Sequence, residues 1–239
     1  MYQQSSTLRR PKNSRQPLWR YLSAERLSDL LKSREVFFTH LPHLEDENEG
    51  VLTQRSRERL AIWFEQHNKS SRVAAFAEVE SYQEHRKDFY VNCWHMNDHE
   101  SYLMWKAYAG LGFAIQTTFE RVQASFDSSP AAINGGVVEY VDFSRDLTPL
   151  GNVFHHVATK DMPYRDEREF RLVFWNPDPC NVDLPRSPNG VRVQVDPCML
   201  IQRVVRNPYF ASPSAELEAL LEANGIELQD SVVRAKRRR

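Results

Sequence analysis

The sequence is poor in the residues that announce the commonest reaction machinery. Only 8 of 239 residues are glycine, and neither the P-loop nor the dinucleotide-binding glycine pattern occurs. There is no G-x-S-x-G nucleophile elbow and no H-E-x-x-H zinc pair. The three cysteines, Cys93, Cys180 and Cys198, are odd in number and far apart. That argues against a disulfide framework and a Cys-only zinc site, and it fits a reducing cytoplasm. No apolar run approaches the roughly 20 residues that a membrane-spanning helix needs. The first sixteen residues, MYQQSSTLRRPKNSRQ, hold no apolar stretch of the secretory-leader kind.

What is present describes a globular chain. Hydrophobic residues make up 41% and aromatic residues 11%, enough for a proper core in a chain of this length. The net charge of −1 conceals a pattern. Residues 1–16 carry four basic side chains and residues 232–239 carry five, with no acid in either stretch. Setting these nine aside leaves 22 basic against 32 acidic residues, so the body stands at about −10. Two basic ends can engage nucleic acid phosphates; the plain alternative is a pair of solubilising, frayed termini. We expect a flexible basic N-terminal arm over 1–16, a single α+β domain over 17–231 and a basic tail over 232–239.

The hydrophobic patterning predicts strands at 17–22, 36–41, 89–95, 112–118, 136–143, 169–175, 191–195 and 200–205. Helices are expected after Ser23 and over 53–67, 101–109 and 119–126, with a short one in 151–161. A last helix is capped by Ser212, opened by Pro213 and stopped by Gly225. In the second of these, Leu60, Ile62, Trp63 and Phe64 form the apolar side. Strands and helices intermix without clean alternation, which favours a mixed β-sheet with flanking helices over a doubly wound parallel sheet.

Three constellations carry polar chemistry. Arg20 lies between Trp19 and Tyr21 on the first strand and is either an ordinary surface or ion-paired residue or an anion clamp. The block CWHMNDHESYLMWKAYAGLGFAIQT at 93–117 sets Trp105 and Tyr108 at helical spacing, as core or as a stacking platform. His95 and His99 within it make a weak metal pair, because a strand-to-helix junction separates them. The segment YRDEREFR at 164–171 runs into the buried-looking strand LVFW. If that strand begins near Arg168, then Glu167, Glu169 and Arg171 share one face and Arg168, Phe170 and Leu172 the other. Carboxylates at the lip of a buried sheet are costly unless paired or working, so an ion-pair ladder and a reactive site both remain open.

The order W-R-Y, F-F-T-H-L with an acidic loop, C-W…E-S-x-x-M-W-x-x-Y…G-F-A-I and Y-x-x-E-x-E-F-R resembles the bacterial family known as domain of unknown function 2971, over about residues 18–230. It departs in one loop: where that family shows N-D-P-F-E, this chain has Glu45, Asp46, Glu47, Asn48 and Glu49. A more distant resemblance is to ADP-ribosyltransferases, including DarT-like toxins that modify DNA, through the RDEREF stretch. That resemblance implies an ADP-ribosyltransferase-like fold, NAD as substrate, and a toxin or anti-phage role. Glu169 would be the catalytic carboxylate, Glu167 would orient the acceptor, and Arg20 would hold the pyrophosphate or ribose. Thr39 or Ser101 would match the hydroxyl position, and Tyr21, Trp105 or Tyr108 would stack on nicotinamide. The rival expectations are a nucleic-acid binder or metal-dependent nuclease using Asp46, Glu49 and Glu167, and a non-enzymatic sensor or adaptor. One geometric question separates them: whether Arg20 and Glu169 line the same pocket.

Overall fold

A computed structural model describes residues 1–69, 71–178, 184–209 and 212–233. Cys180 and the basic residues 234–239 of the expected tail lie outside the described residues. The chain runs β1 (Pro17–Leu22), α1 (Ala24–Ser33), β2 (Glu35–His40), α2 (Gln54–Asn68), α3 (Arg72–Gln83), β3 (Phe89–Met96), α4 (Tyr102–Met104), β4 (Phe113–Thr118) and α5 (Phe119–Ser125). It continues through β5 (Ile133–Val137), β6 (Glu139–Val141), α6 (Phe154–Val157), β7 (Thr159–Asp161), β8 (Glu169–Trp175), β9 (Arg186–Ser187), β10 (Gly190–Gln194), α7 (Pro197–Leu200), β11 (Arg203–Arg206), α8 (Ala215–Ala223) and β12 (Leu228–Asp230). This is a single α+β domain with a mixed sheet and flanking helices. Among the described residues no helix is long and apolar enough to cross a membrane.

Ten strands form one sheet in the order β12-β11-β4-β1-β3-β2-β10-β9, with β8 pairing β3 and carrying β5 on its far edge. Among the described residues the strands of this sheet pair antiparallel except β11 with β12. The sheet branches at β3. One edge of that strand pairs with β8 from Phe89 to His95. The other edge pairs with β2 at Tyr90 and Val91 and with β1 at His95 and Met96.

Alternation along the strands defines two faces. On one face Leu18, Leu22, Phe38, Trp94, Ile115, Phe170, Leu172 and Phe174 meet α1, α5 and α8 in the main core. Each fully buried side chain of this kind contributes about 1.5–3 kcal/mol before entropy is counted. The other face holds two smaller apolar clusters. One gathers Leu41, Phe89, Val91, Val157 and Val173. The other gathers Trp19, Tyr21, Trp105, Ala114 and Val205. Between them on β3 and β8 lie Cys93, His95, Glu169 and Arg171.

Several sequence expectations need correction. The run 136–143 is two strands, because the chain changes partner at Val138. Val138 N–H donates to Glu169 O, Glu139 N–H donates to Ala158 O, and β6 then pairs with β7 in a separate small sheet. The 151–161 helix is only the four residues of α6 followed by β7. The last helix is capped by Ser214, whose Oγ accepts from Leu217 N–H, and not by Ser212. On α2, Ile62 and Trp63 are 44% and 48% exposed, while Leu60 and Ala61 face α3. The N-terminal arm is not free: Gln3 N–H donates to Ile133 O, Val137 N–H donates to Arg9 O, and Leu8 is buried against Gly136.

Candidate functional site

The register assigns the predicted site residues to faces. Trp19 lies opposite His95, and His95 opposite Glu169, so Trp19, Tyr21, His95 and Glu169 share one side of the sheet. Arg20 alternates to the other side, with its Cζ 5.9 Å above the Trp94 ring. Arg20 and Glu169 therefore do not line one pocket, and the proposed pairing of the two is corrected. Burial lowers the Arg20 guanidinium to about 10. Its Nη1 is sealed from solvent and meets no hydrogen-bond partner among the described residues.

The stacking roles also need correction. Trp105 is buried, edge-on to Tyr21 at 4.9 Å between ring centres, and its Nε1–H donates to Glu100. Tyr21 is buried too, and its hydroxyl accepts the Ser101 N–H. Both are core. Ser101 caps α4 through its Oγ. Thr39 lies opposite Val91 on the Glu169 side, four residues and roughly 13 Å along β3 from His95. Tyr108 is different. It lies on the one-turn π-helix Trp105–Ala109 that follows α4 and is half exposed. Its hydroxyl donates to Glu167 Oε1 at 2.8 Å.

At the centre is Arg171, fully buried. All five of its N–H groups are used. Nε and Nη2 donate to the two oxygens of Glu169 at 2.6 and 3.0 Å. Nη1 and Nη2 donate to Glu49 at 2.7 and 3.2 Å, and Nη1 also donates to Val157 O at 2.6 Å. Lys160 Nζ then meets Glu167 at 2.7 Å, Glu49 at 3.2 Å and Glu169 at 3.6 Å. Three carboxylates and two cations leave the cluster one negative charge. Burial opposes ionisation of Glu169, but the Arg171 charge and hydrogen bonds, with Lys160, hold its carboxyl down to about 2. Burial pulls Lys160 downward, and Glu169, Glu49 and Glu167 more than reverse it, leaving the ammonium firmly charged.

The sequence reading had Glu169 and Arg171 on one face, and they are. Glu167 precedes the strand, in the 3-10 turn Met162–Glu167, and Arg168 breaks the alternation with φ +43°. Glu167 still reaches the same cluster through Lys160. It is the cluster's accessible carboxylate: its side chain is 23% exposed, against 3% for Glu49 and 4% for Glu169. Glu49 was named beside Glu167 only as a carboxylate of the nuclease alternative, and Lys160 was missed, because nothing local marked it.

Two further groups border the cluster. Tyr140 OH accepts the Glu169 N–H. His95 Nδ1 lies 2.6 Å from Glu167 O, a carbonyl that can only accept, so Nδ1 carries the proton. Burial lowers the His95 pKa, which keeps the ring neutral, and its buried Nε2 meets no partner among the described residues. Among the described residues no group of three His, Cys, Asp or Glu side chains is placed to hold a metal ion. Glu49, Glu167 and Glu169 converge on an ammonium instead. No family model matches the chain, and no curated protein or solved structure matches it either.

Proposed function

We propose that the chain is an enzyme that breaks the glycosidic bond of a nucleotide, acting as an NAD-dependent ADP-ribosyltransferase on an ADP-ribosyltransferase-like fold, with Glu167 as the carboxylate that meets the substrate. The observation that carries this reading is the position of Glu167. It is the accessible acid of an otherwise buried cluster, bracketed by Tyr108 OH and Lys160 Nζ. Glu169 takes a different role from the one the resemblance implies. Locked to Arg171, it fixes the charge behind Glu167 and does not touch substrate.

The chemistry follows from charge. As the nicotinamide–ribose bond opens, its electron pair leaves with nicotinamide and positive charge builds on the ribose. A carboxylate accepting a ribose hydroxyl stabilises that charge, the logic that glycosidases use. A substrate hydroxyl would compete with Tyr108 for Glu167 Oε1. The acceptor's lone pair then forms the new bond at the same carbon, and its proton passes to solvent. The nuclease alternative is weakened, because a divalent ion would have to displace Lys160 from among its three carboxylates.

The test is nicotinamide release from NAD, with protein lysate, DNA or RNA offered as acceptor. Glu167→Gln should lose at least a hundredfold in rate, about 2.7 kcal/mol of transition-state stabilisation, while its melting temperature stays near that of the wild type. Wild-type protein that releases no nicotinamide with any acceptor, or a Glu167→Gln variant that keeps the wild-type rate, overturns the proposal.

A further inference from the structure

A second site lies at the end of the sheet where β3 and β5 finish and β8 begins. A cavity of about 360 Å³ opens there, lined by Arg9, Arg165, Arg168, Gln16, Asn97 and Tyr140, among others. Its apolar floor is Met96, Val137 and Val138, and its one acid is Asp98. Asp98 accepts from Gln16 Nε2 at 3.3 Å, and Asn97 Oδ1 accepts from Arg168 Nη1 at 3.3 Å. None of the three arginines makes an ion pair among the described residues. Three arginines lining one cavity bring like charges together, and that arrangement is stabilised when an anion occupies the centre.

The backbone fixes each arginine separately. Arg9 is held by its carbonyl, which accepts Val137 N–H at 2.8 Å. Arg168 adopts the left-handed region at φ +43°, its N–H donates to Arg165 O, and its own carbonyl accepts Met96 N–H. So the N-terminal segment, the turn before β8 and the end of β3 all converge. Planar forks with parallel N–H groups match phosphate oxygens two at a time, which an ammonium cannot do.

We infer that this cavity binds a phosphate group, the phosphate of a nucleotide or of a nucleic acid backbone. The site stands apart from the carboxylate cluster, with Tyr140 as the shared wall: it lines the cavity and its hydroxyl accepts the Glu169 N–H. The inference does not require the glycosidic chemistry of Glu167. It also gives the basic N-terminal segment a defined role, contributing Arg9 to a built pocket.

The experiment is calorimetric titration of the full chain with inorganic pyrophosphate, then with ADP, then with a short single-stranded oligonucleotide. The proteins are wild type, the triple variant Arg9→Gln/Arg165→Gln/Arg168→Gln, and Arg59→Gln, which removes an exposed charge on α2 away from the cavity. Saturable pyrophosphate binding is expected, weakened at least tenfold in the triple variant and unchanged in Arg59→Gln. ADP competition assigns the phosphate to a nucleotide; oligonucleotide competition with a steep salt dependence assigns it to a nucleic acid backbone. Absent pyrophosphate binding, equal binding by wild type and triple variant, or equal loss in Arg59→Gln overturns the inference. Nicotinamide release plays no part in this readout, so its failure leaves the phosphate result standing.

Discussion

Arg171 is the residue on which the charged cluster depends. Its five donors satisfy two buried carboxylates and a carbonyl, so truncating it strands Glu49 and Glu169 with Lys160 alone. Arg171→Met should cost about 3–5 kcal/mol, lowering the melting temperature by roughly 6–20 °C; a melting temperature within two degrees of wild type would contradict that account. Acid sensitivity has two sources with separate windows. Burial, reinforced by His85 and His155, pushes His156 down to about 4 from 6.5. The unfolded chain therefore takes up a proton below pH 6.5 that the native state refuses until about pH 4, and stability falls across that interval. Glu169 works at lower pH: its contribution is full above 4.5 and is lost as the pH falls toward 2. Urea midpoints measured between pH 7 and 4 should decline less steeply in His156→Gln than in wild type, and parallel curves would exclude His156 as a source. At this scale the sequence was partly legible. Period-two alternation placed Glu169 beside Arg171, but Glu49 lies 122 residues from Arg171 in the chain, and no local pattern reports such a pairing.

Among the elements, the strands were legible wherever both faces are buried. β1 and β8 match their expected limits because most positions on both sides of each strand are buried. α3 was not legible. Its buried side chains include the small Ala75 and Val79, and it packs chiefly against α2, so its stripe is faint. The division between β5 and β6 was hidden because the apolar run continues through Val138 while the pairing partner changes. Close approach matters at β10. Gly190 lies opposite Thr39, and a Cβ there would collide with the Phe38 carbonyl of β2. Gly190→Ala should therefore lower stability by about 1–3 kcal/mol through overpacking, read as a shifted denaturant midpoint with an unchanged slope. A midpoint equal to wild type would mean that β2 and β10 can separate locally at no cost. The half-exposed π-turn Trp105–Ala109 presents Tyr108 to Glu167 from a helix that was expected to be regular.

The centre of the sheet is built from pairings between distant segments. β1 bonds to β4 and β3, β3 to β8, β2 to β10 and β4 to β11, while consecutive strands pair mainly toward the edges. Such topologies fold slowly, because loop closure precedes the contacts that reward it. The fold class was visible in the mixture of short strands and helices, whereas the branching of the sheet at β3 was not. Branching depends on which backbone edge is free, and side-chain composition does not record that. It also decides the relation of Arg20 to Glu169: two residues that the resemblance would set in one site are separated by the thickness of the sheet.

The N-terminal segment has a consequence for synthesis. Its partners at Ile133 and Val137 belong to β5, which is itself completed only by β8, ending at Trp175. At 5–20 residues per second, roughly 8 to 33 s separate translation of Leu8 from translation of the strands that cover it. Throughout that interval Leu8 and the arginines beside it are open to other chains or to nearby RNA. The segment around Leu8 thus docks only after β5 and β8 have been made.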